Sequence, residues 1–526
     1  MQITLPELQK GVYQMAVKII MLVALFVVTI GVGLYFRKSA TNVDGFVLGG
    51  RSVGPWLTAF AYGTTYFSAV VFVGYAGQFG WRFGLAATWI GLGNALIGSL
   101  MPWVILGRRT RIMTRHLNSA TMPEFFAARF KSNPIKLSAS VIVFVFMIPY
   151  TASLYNGLSR LFEMAYGIDF TVCIIAMAVL TGIYVIAGGY VGSAMNNFIQ
   201  GIVMLVGMVA IIGAVLNSKG GFMSAVNSLA EVNDSTVSSV PGVFASFFGP
   251  DPIGLLGVVL LTSLGTWGLP QMVQKFYAIK SEAAIFKGTV ISTIFAIIIA
   301  GGSYFLGSFG RLFSAGEGVP PNGFDSIIPS MVSEFAPFLI GLIIIMVLAA
   351  SISTLSSLVM TSASTFTLDF LRGHVVKKMS DKQQLLSIRL LVVVFIVISS
   401  VIAIFQYRGG IALIAQLMGV SWGALAGSFL APFLYSLYWK RVSKAAVWCS
   451  FLFSSLLMIA NMLFRSSFPT IIQSPINAGA FAMLAGLIIV PVVSLITPKP
   501  AAEHIDSCFS CYDETVTVRV RQDLGS

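Results

Sequence analysis

Thirteen stretches of this chain are apolar for about the 20 residues a helix needs to cross a bilayer, near residues 14–36, 56–80, 84–107, 135–163, 168–187, 192–216, 253–275, 283–310, 337–371, 385–406, 410–438, 443–464 and 477–497. Backbone polar groups in hydrocarbon must be satisfied internally, so such runs form helices or closed barrels. Their length and lack of strict alternation select helices. Only 10% of residues are charged, against about 25% in soluble domains. The expected fold class is therefore an all-α polytopic membrane protein with about 13 transmembrane helices and no soluble domain. No small-residue cleavage site follows the run Ala16 to Tyr35, which reads as a retained helix rather than a signal peptide.

The formal net charge of +13 belongs to short loops and not to a nucleic-acid surface. Arg108, Arg109, Arg111, Arg115, Arg129, Lys131 and Lys136 follow the third run. Arg372, Lys377, Lys378, Lys382 and Arg389 follow the ninth, and Lys440, Arg441 and Lys444 the eleventh. The loop 217–252 holds Lys219 against Glu231, Asp234 and Asp251, and the loop after residue 311 is similarly poor in basic residues. The positive-inside rule then places the N-terminus outside and the tail, 498–526, in the cytoplasm of a multi-pass plasma-membrane protein. That tail is polar, short and expected to be partly disordered, and its Cys508 and Cys511 read as unpaired thiols. No nucleophile–base set is visible, and an enzyme is not expected.

Chemistry enters with the segment AASISTLSSLVMTSASTFTLDFL, residues 349–371. Hydroxyls in an apolar helix must find partners, and a dehydrated small cation is one, since hard cations prefer oxygen. Ala350, Ser353 and Thr354 fall on one face at helical spacing. A monovalent ion can be held by dipoles alone. For Ser356, Ser357 and Ser362 the expectation is a bond back to their own helix. Two other runs carry helix breakers at their centres: Gly63-Thr64-Thr65, and Gly265-Thr266-Trp267-Gly268 followed by Pro270. With the opening helix set aside these are spans 1 and 6, and the hydroxyl segment is span 8. Matching interruptions five spans apart are the pattern of a five-plus-five inverted repeat, with solute and ion at the breaks. The organisation expected is an extra N-terminal helix and loop (1–55), a first repeat (56–216), an external loop (217–252), a second repeat (253–438), two further helices (439–497) and the tail.

The stretches GFVLGGRSVGPWLTAFAYGTTYFSA (45–69), LTGIYVIAGGYVGSAMNNFIQ (180–200), LAASISTLSSLVMTSASTFTLDF (348–370) and WGALAGSFLAPFLYSLYWKR (422–441) resemble the solute:sodium symporter family. The resemblance covers roughly residues 10 to 465. It implies a LeuT-like five-plus-five inverted repeat with extra helices, alternating access, and sodium-coupled symport of a small organic solute. The family's sodium site then falls on the backbone carbonyls of Thr64, Phe67 and Ala350 and the hydroxyls of Ser353 and Thr354. Arg51 matches a cytoplasmic arginine implicated in coupling in the proline branch. Asn197 stands where many relatives have an aspartate, which implies one sodium per cycle. Tyr66, Thr262 and Thr266 depart from the residues of the proline branch, and GTWGLPQM is similar to the monocarboxylate and pantothenate branches. The implied solute is a monocarboxylate, a pantothenate-like molecule or an amino acid. The residues expected around it are Tyr66, Thr262, Thr266, Trp267 and Gln416. A sodium-independent facilitator and a transporter-like sensor are the alternative readings.

Overall fold

The computed structural model describes residues 5–314, 320, 323–333, 335–376, 378–409 and 414–513. The last part of the expected tail, 514–526, lies outside these residues. Among the described residues ten helices are long and apolar enough to cross a membrane, and a bent pair makes an eleventh. Two of the ten, Val70–His116 and Phe170–Ser218, run to 47 and 49 residues, about twice what one crossing takes. Each turns at a glycine whose backbone other residues rarely adopt: Gly84 (φ 61°, ψ −140°) and Gly189 (φ 54°, ψ −152°). Divided there, the eleven become thirteen crossings, and the segment before Gly84 continues the helix Pro55–Tyr66.

The first broken span is interrupted at Phe67 and Ser68, not at Gly63-Thr64-Thr65. Thr64 Oγ1 donates to the Phe60 carbonyl one turn back (2.8 Å), which suits a helix interior. Gly63 serves packing instead, since a Cβ there would collide with the Phe295 ring. Phe67 is extended (φ −102°, ψ 101°), and Ser68 starts the next helical stretch by accepting from the Val70 N–H (3.3 Å). In the second broken span, Pro252–Gly268 remains helical and only Leu269 is extended, before Pro270–Ala278 resumes at 44°. Pro270 forces this, because the residue before a proline is excluded from the helical region.

The hydroxyl helix, Pro337–Thr365, lies at the centre of the molecule. On the side without basic loops, Arg311 is buried between the Trp81 and Phe244 rings, its guanidinium carbon 4.5 and 3.9 Å from their centroids. Its Nη1 donates to Asp234 Oδ2 (3.0 Å) and its Nε to the Trp81 carbonyl (2.7 Å). This pair fastens the loop 217–252 to two spans. Asp234→Ala removes the counter-charge of a buried guanidinium, a change that costs about 3–5 kcal/mol. Its melting temperature in detergent is expected to fall clearly below that of wild type. An unchanged melting curve would show that the pair contributes nothing.

The described part of the tail is ordered, and its two thiols form no disulfide. Residues Ala502–Phe509 form a helix, with Cys508 and Cys511 buried. His504 Nε2 lies 3.1 Å from the Ala128 carbonyl, Asp506 pairs with Lys440 (2.7 Å), and Arg109 stacks on Tyr512 (4.6 Å). The tail thus docks on the basic loops it was expected to hang from.

Candidate functional site

Where the hydroxyl helix passes the first break, two adjacent side chains reach across. Ser353 Oγ donates to the carbonyls of Thr64 (3.0 Å) and Ala350 (2.9 Å). Thr354 Oγ1 lies within reach of the carbonyls of Thr64 (3.1 Å), Thr65 (3.3 Å) and Ala350 (3.0 Å). All of these residues are buried. Five oxygens therefore converge without a formal charge, and among the described residues no cluster of three or more His, Cys, Asp or Glu is placed to hold a metal. A hydroxyl that donates to a carbonyl can rotate and offer a lone pair instead. This set could hold a monovalent cation by dipoles, and it is poorly suited to a divalent one.

Thr64, Ala350, Ser353 and Thr354 are thus brought together as the sequence predicts. Phe67 is not placed in the same way: among the described residues neither hydroxyl donates to its carbonyl, and Thr65 supplies the third acceptor. The reason is the shifted break, which leaves Thr65 on the last helical turn and turns Phe67 out of it, its ring stacked on Tyr66 at 4.2 Å. Ser356 bonds back to its own helix, to the Ser353 carbonyl (2.8 Å). Ser357 does the same, to the Ser353 carbonyl (3.3 Å), and also pairs with Thr65 Oγ1 (2.8 Å); Ser362 departs from that expectation and reaches Met147 Sδ (3.0 Å).

The two breaks are joined directly. Tyr66 donates its hydroxyl to the Thr262 carbonyl in the second broken span (2.6 Å) and stacks on Trp422 (6.1 Å). Thr266 Oγ1 and the Tyr62 hydroxyl both donate to the Gly98 carbonyl (2.8 Å each). A Cβ on Gly98 would strike the Tyr66 hydroxyl, so this glycine makes room for the junction. Thr262 Oγ1 bonds back to Val258 (2.8 Å), and Trp267 Nε1 donates to the Ile97 carbonyl (2.8 Å). Tyr62, Gly98 and Trp422 were not anticipated, because aromatic and glycine residues in an apolar run read as ordinary packing.

Of the remaining expected residues, Gln416 lies away from the breaks. Gln416 sits in the first turn of Ile414–Tyr438, where it accepts from exposed Arg465 (3.2 Å). It was assigned by polarity within a span whose depth the sequence does not fix. Arg51 lies on the face of the basic loops, in left-handed backbone (φ 52°), and its Nη2 donates to the Ser119 carbonyl (2.6 Å). Burial lowers its pKa and nearby Asp44 works against that shift. Asn197 is buried one turn from Gly201, which packs against Phe60 and Thr64, and its Oδ1 has no hydrogen-bond partner among the described residues.

Residues 46–452 match the profile of the sodium:solute symporter family. The chain belongs to that family. The osmoregulated proline transporter OpuE of Bacillus subtilis (strain 168) is 29% identical over 90% of this chain and 94% of its own. The sodium/proline symporter of Staphylococcus aureus (strain JH9) is 28% identical over 92% and 93%. A solved structure described as the substrate-bound outward-open state of a Na+-coupled sialic acid symporter superposes with a TM-score of 0.72 at 20% identity. It covers 92% of this chain and 99% of that one. The fold is accordingly the LeuT-like inverted repeat, and sodium is the coupling ion of this symporter.

Proposed function

We propose that this symporter moves one Na+ per cycle with a small amino acid, proline foremost, and that the ion sits among Thr64, Thr65, Ala350, Ser353 and Thr354. The observation that carries the sodium assignment is the approach of two hydroxyls on one span to the end of a helix on another, at 3.0 and 3.1 Å from a single carbonyl. An ion there bridges the two elements and favours the arrangement in which they are close. Coupling follows when solute prefers that same arrangement, and the effect is reciprocal. Each Na+ moving inward down 100 mV contributes about 2.3 kcal/mol.

The solute reading rests on the junction at Tyr66. A guest entering between the breaks meets a hydroxyl donor on one side and the Thr262 carbonyl on the other. An amino acid offers a carboxylate to the first and an ammonium to the second, whereas a simple monocarboxylate leaves the carbonyl without a donor. The names of the proline-transporting relatives support the same choice over the pantothenate-like alternative. The basic loops support an inside tail and an outside N-terminus.

The test is uptake of radiolabelled proline, other amino acids, monocarboxylates and pantothenate into proteoliposomes, with and without an inward sodium gradient. Proline uptake is expected to need the gradient and to saturate with sodium at a Hill coefficient near one. Uptake indifferent to sodium would favour a facilitator. Tyr66→Phe is expected to raise the half-saturating proline concentration by about tenfold, as for loss of one hydrogen bond to a charged group. An unchanged value would remove Tyr66 from the solute site.

A further inference from the structure

The second half of the bent span carries Lys275, which is 3% exposed. A lysine buried this deeply ordinarily pairs with a carboxylate. Among the described residues none lies within ion-pair distance of it. Its Nζ instead donates to Ser357 Oγ (3.1 Å) and lies 5.3 Å from the centroid of the Tyr190 ring.

Ser357 stands one turn beyond Ser353 on the hydroxyl helix and is bonded to Thr65 Oγ1 (2.8 Å), beside the carbonyl that Thr354 engages. Two hydrogen bonds therefore separate the ammonium from the residues assigned to sodium. The side of approach is also fixed. Lys275 is three residues from Ala278, whose carbonyl accepts from the Val53 N–H (3.2 Å) next to Arg51, on the face of the basic loops. The lysine thus sits between the sodium oxygens and that face.

We propose that Lys275 is a resident cation that sets how loosely the symporter holds sodium, its charge opposing the ion from the side on which the ion leaves. This rests on the sodium assignment above. A unit charge two hydrogen bonds away, at the effective permittivity of a protein interior, changes ion affinity by about tenfold or more. The arrangement suits a carrier, because an ion held too tightly is not released.

The experiment is a sodium titration of purified symporter in detergent, followed by intrinsic tryptophan fluorescence, together with efflux of radioactive sodium from proteoliposomes. Lys275→Gln keeps a donor for Ser357 and removes only the charge; Lys275→Met removes both; Lys275→Arg keeps the charge. Both neutral variants are expected to bind sodium about tenfold more tightly and to release it more slowly, with Lys275→Arg near wild type. A merely structural lysine would weaken binding when replaced, not tighten it. Neutral variants with a wild-type or weaker sodium midpoint overturn the proposal. So does loss of folded protein in both neutral variants with Lys275→Arg intact, since the charge is then needed for folding. Ser353→Ala with Thr354→Ala is titrated alongside. A wild-type midpoint in that double variant overturns the sodium assignment itself, whatever Lys275 does.

Discussion

Sodium-driven uptake is expected to vanish when Ser353 and Thr354 are both replaced by alanine, while the protein still reaches the membrane and elutes as a single species. Contacts from neutral groups to an ion are worth about 1.5–3 kcal/mol each. Losing two weakens the site by about 3 kcal/mol or more, roughly 100-fold or beyond in sodium affinity. The change introduces no volume, and the hydroxyls it removes bond only to backbone carbonyls. Ser356→Ala is the matched control, because that hydroxyl bonds back within its own helix. It is expected to keep its sodium dependence within about twofold. Uptake by the double variant with a normal sodium curve would mean that the ion binds elsewhere.

The second large effect is on assembly. Gly80 and Gly307 meet where the segments Ala76–Phe83 and Gly302–Gly307 cross, and a Cβ on either would lie on the partner's backbone carbonyl region. Small residues let membrane helices approach this closely, and a backbone cannot step aside as a flexible side chain can. Gly80→Val and Gly307→Leu are each expected to leave almost no monodisperse protein by fluorescence-detected size exclusion. Gly31→Ala serves as the control, since nothing lies within 4 Å of its added methyl. Normal elution of both crossing variants would show that the two segments can part without loss of the fold.

The spans were legible because hydropathy is summed over some 20 residues, and a few polar side chains do not mask it. The shared face of Ala350, Ser353 and Thr354 was legible for a related reason: adjacent hydroxyls in an apolar helix need partners, and helical spacing fixes their direction. The break beside them was located two to four residues too early. Glycine and threonine are tolerated inside a helix, and Thr64 bonds back into its own turn. The decisive feature was Ser68 acting as a cap, a weak signal in a run of small residues. Leu269 was recoverable from Pro270 alone. Lys275 was not singled out, because a sequence does not give the depth of a residue near a bend. The docked tail was missed since eight amphipathic residues carry little periodicity, and its contacts are with segments 66 to 403 positions away.

That docked tail has a mechanical corollary. It touches both the connection holding Arg129 and the one holding Lys440, so it acts as a brace across the basic side of the carrier. Any movement that spreads those two connections works against the brace and is pulled back by it. A chain ending at Thr497 is then expected to open more readily on that side, seen as faster labelling of a cysteine placed at buried Ala278. Equal labelling rates in the full and shortened chains would mean that the brace bears no tension.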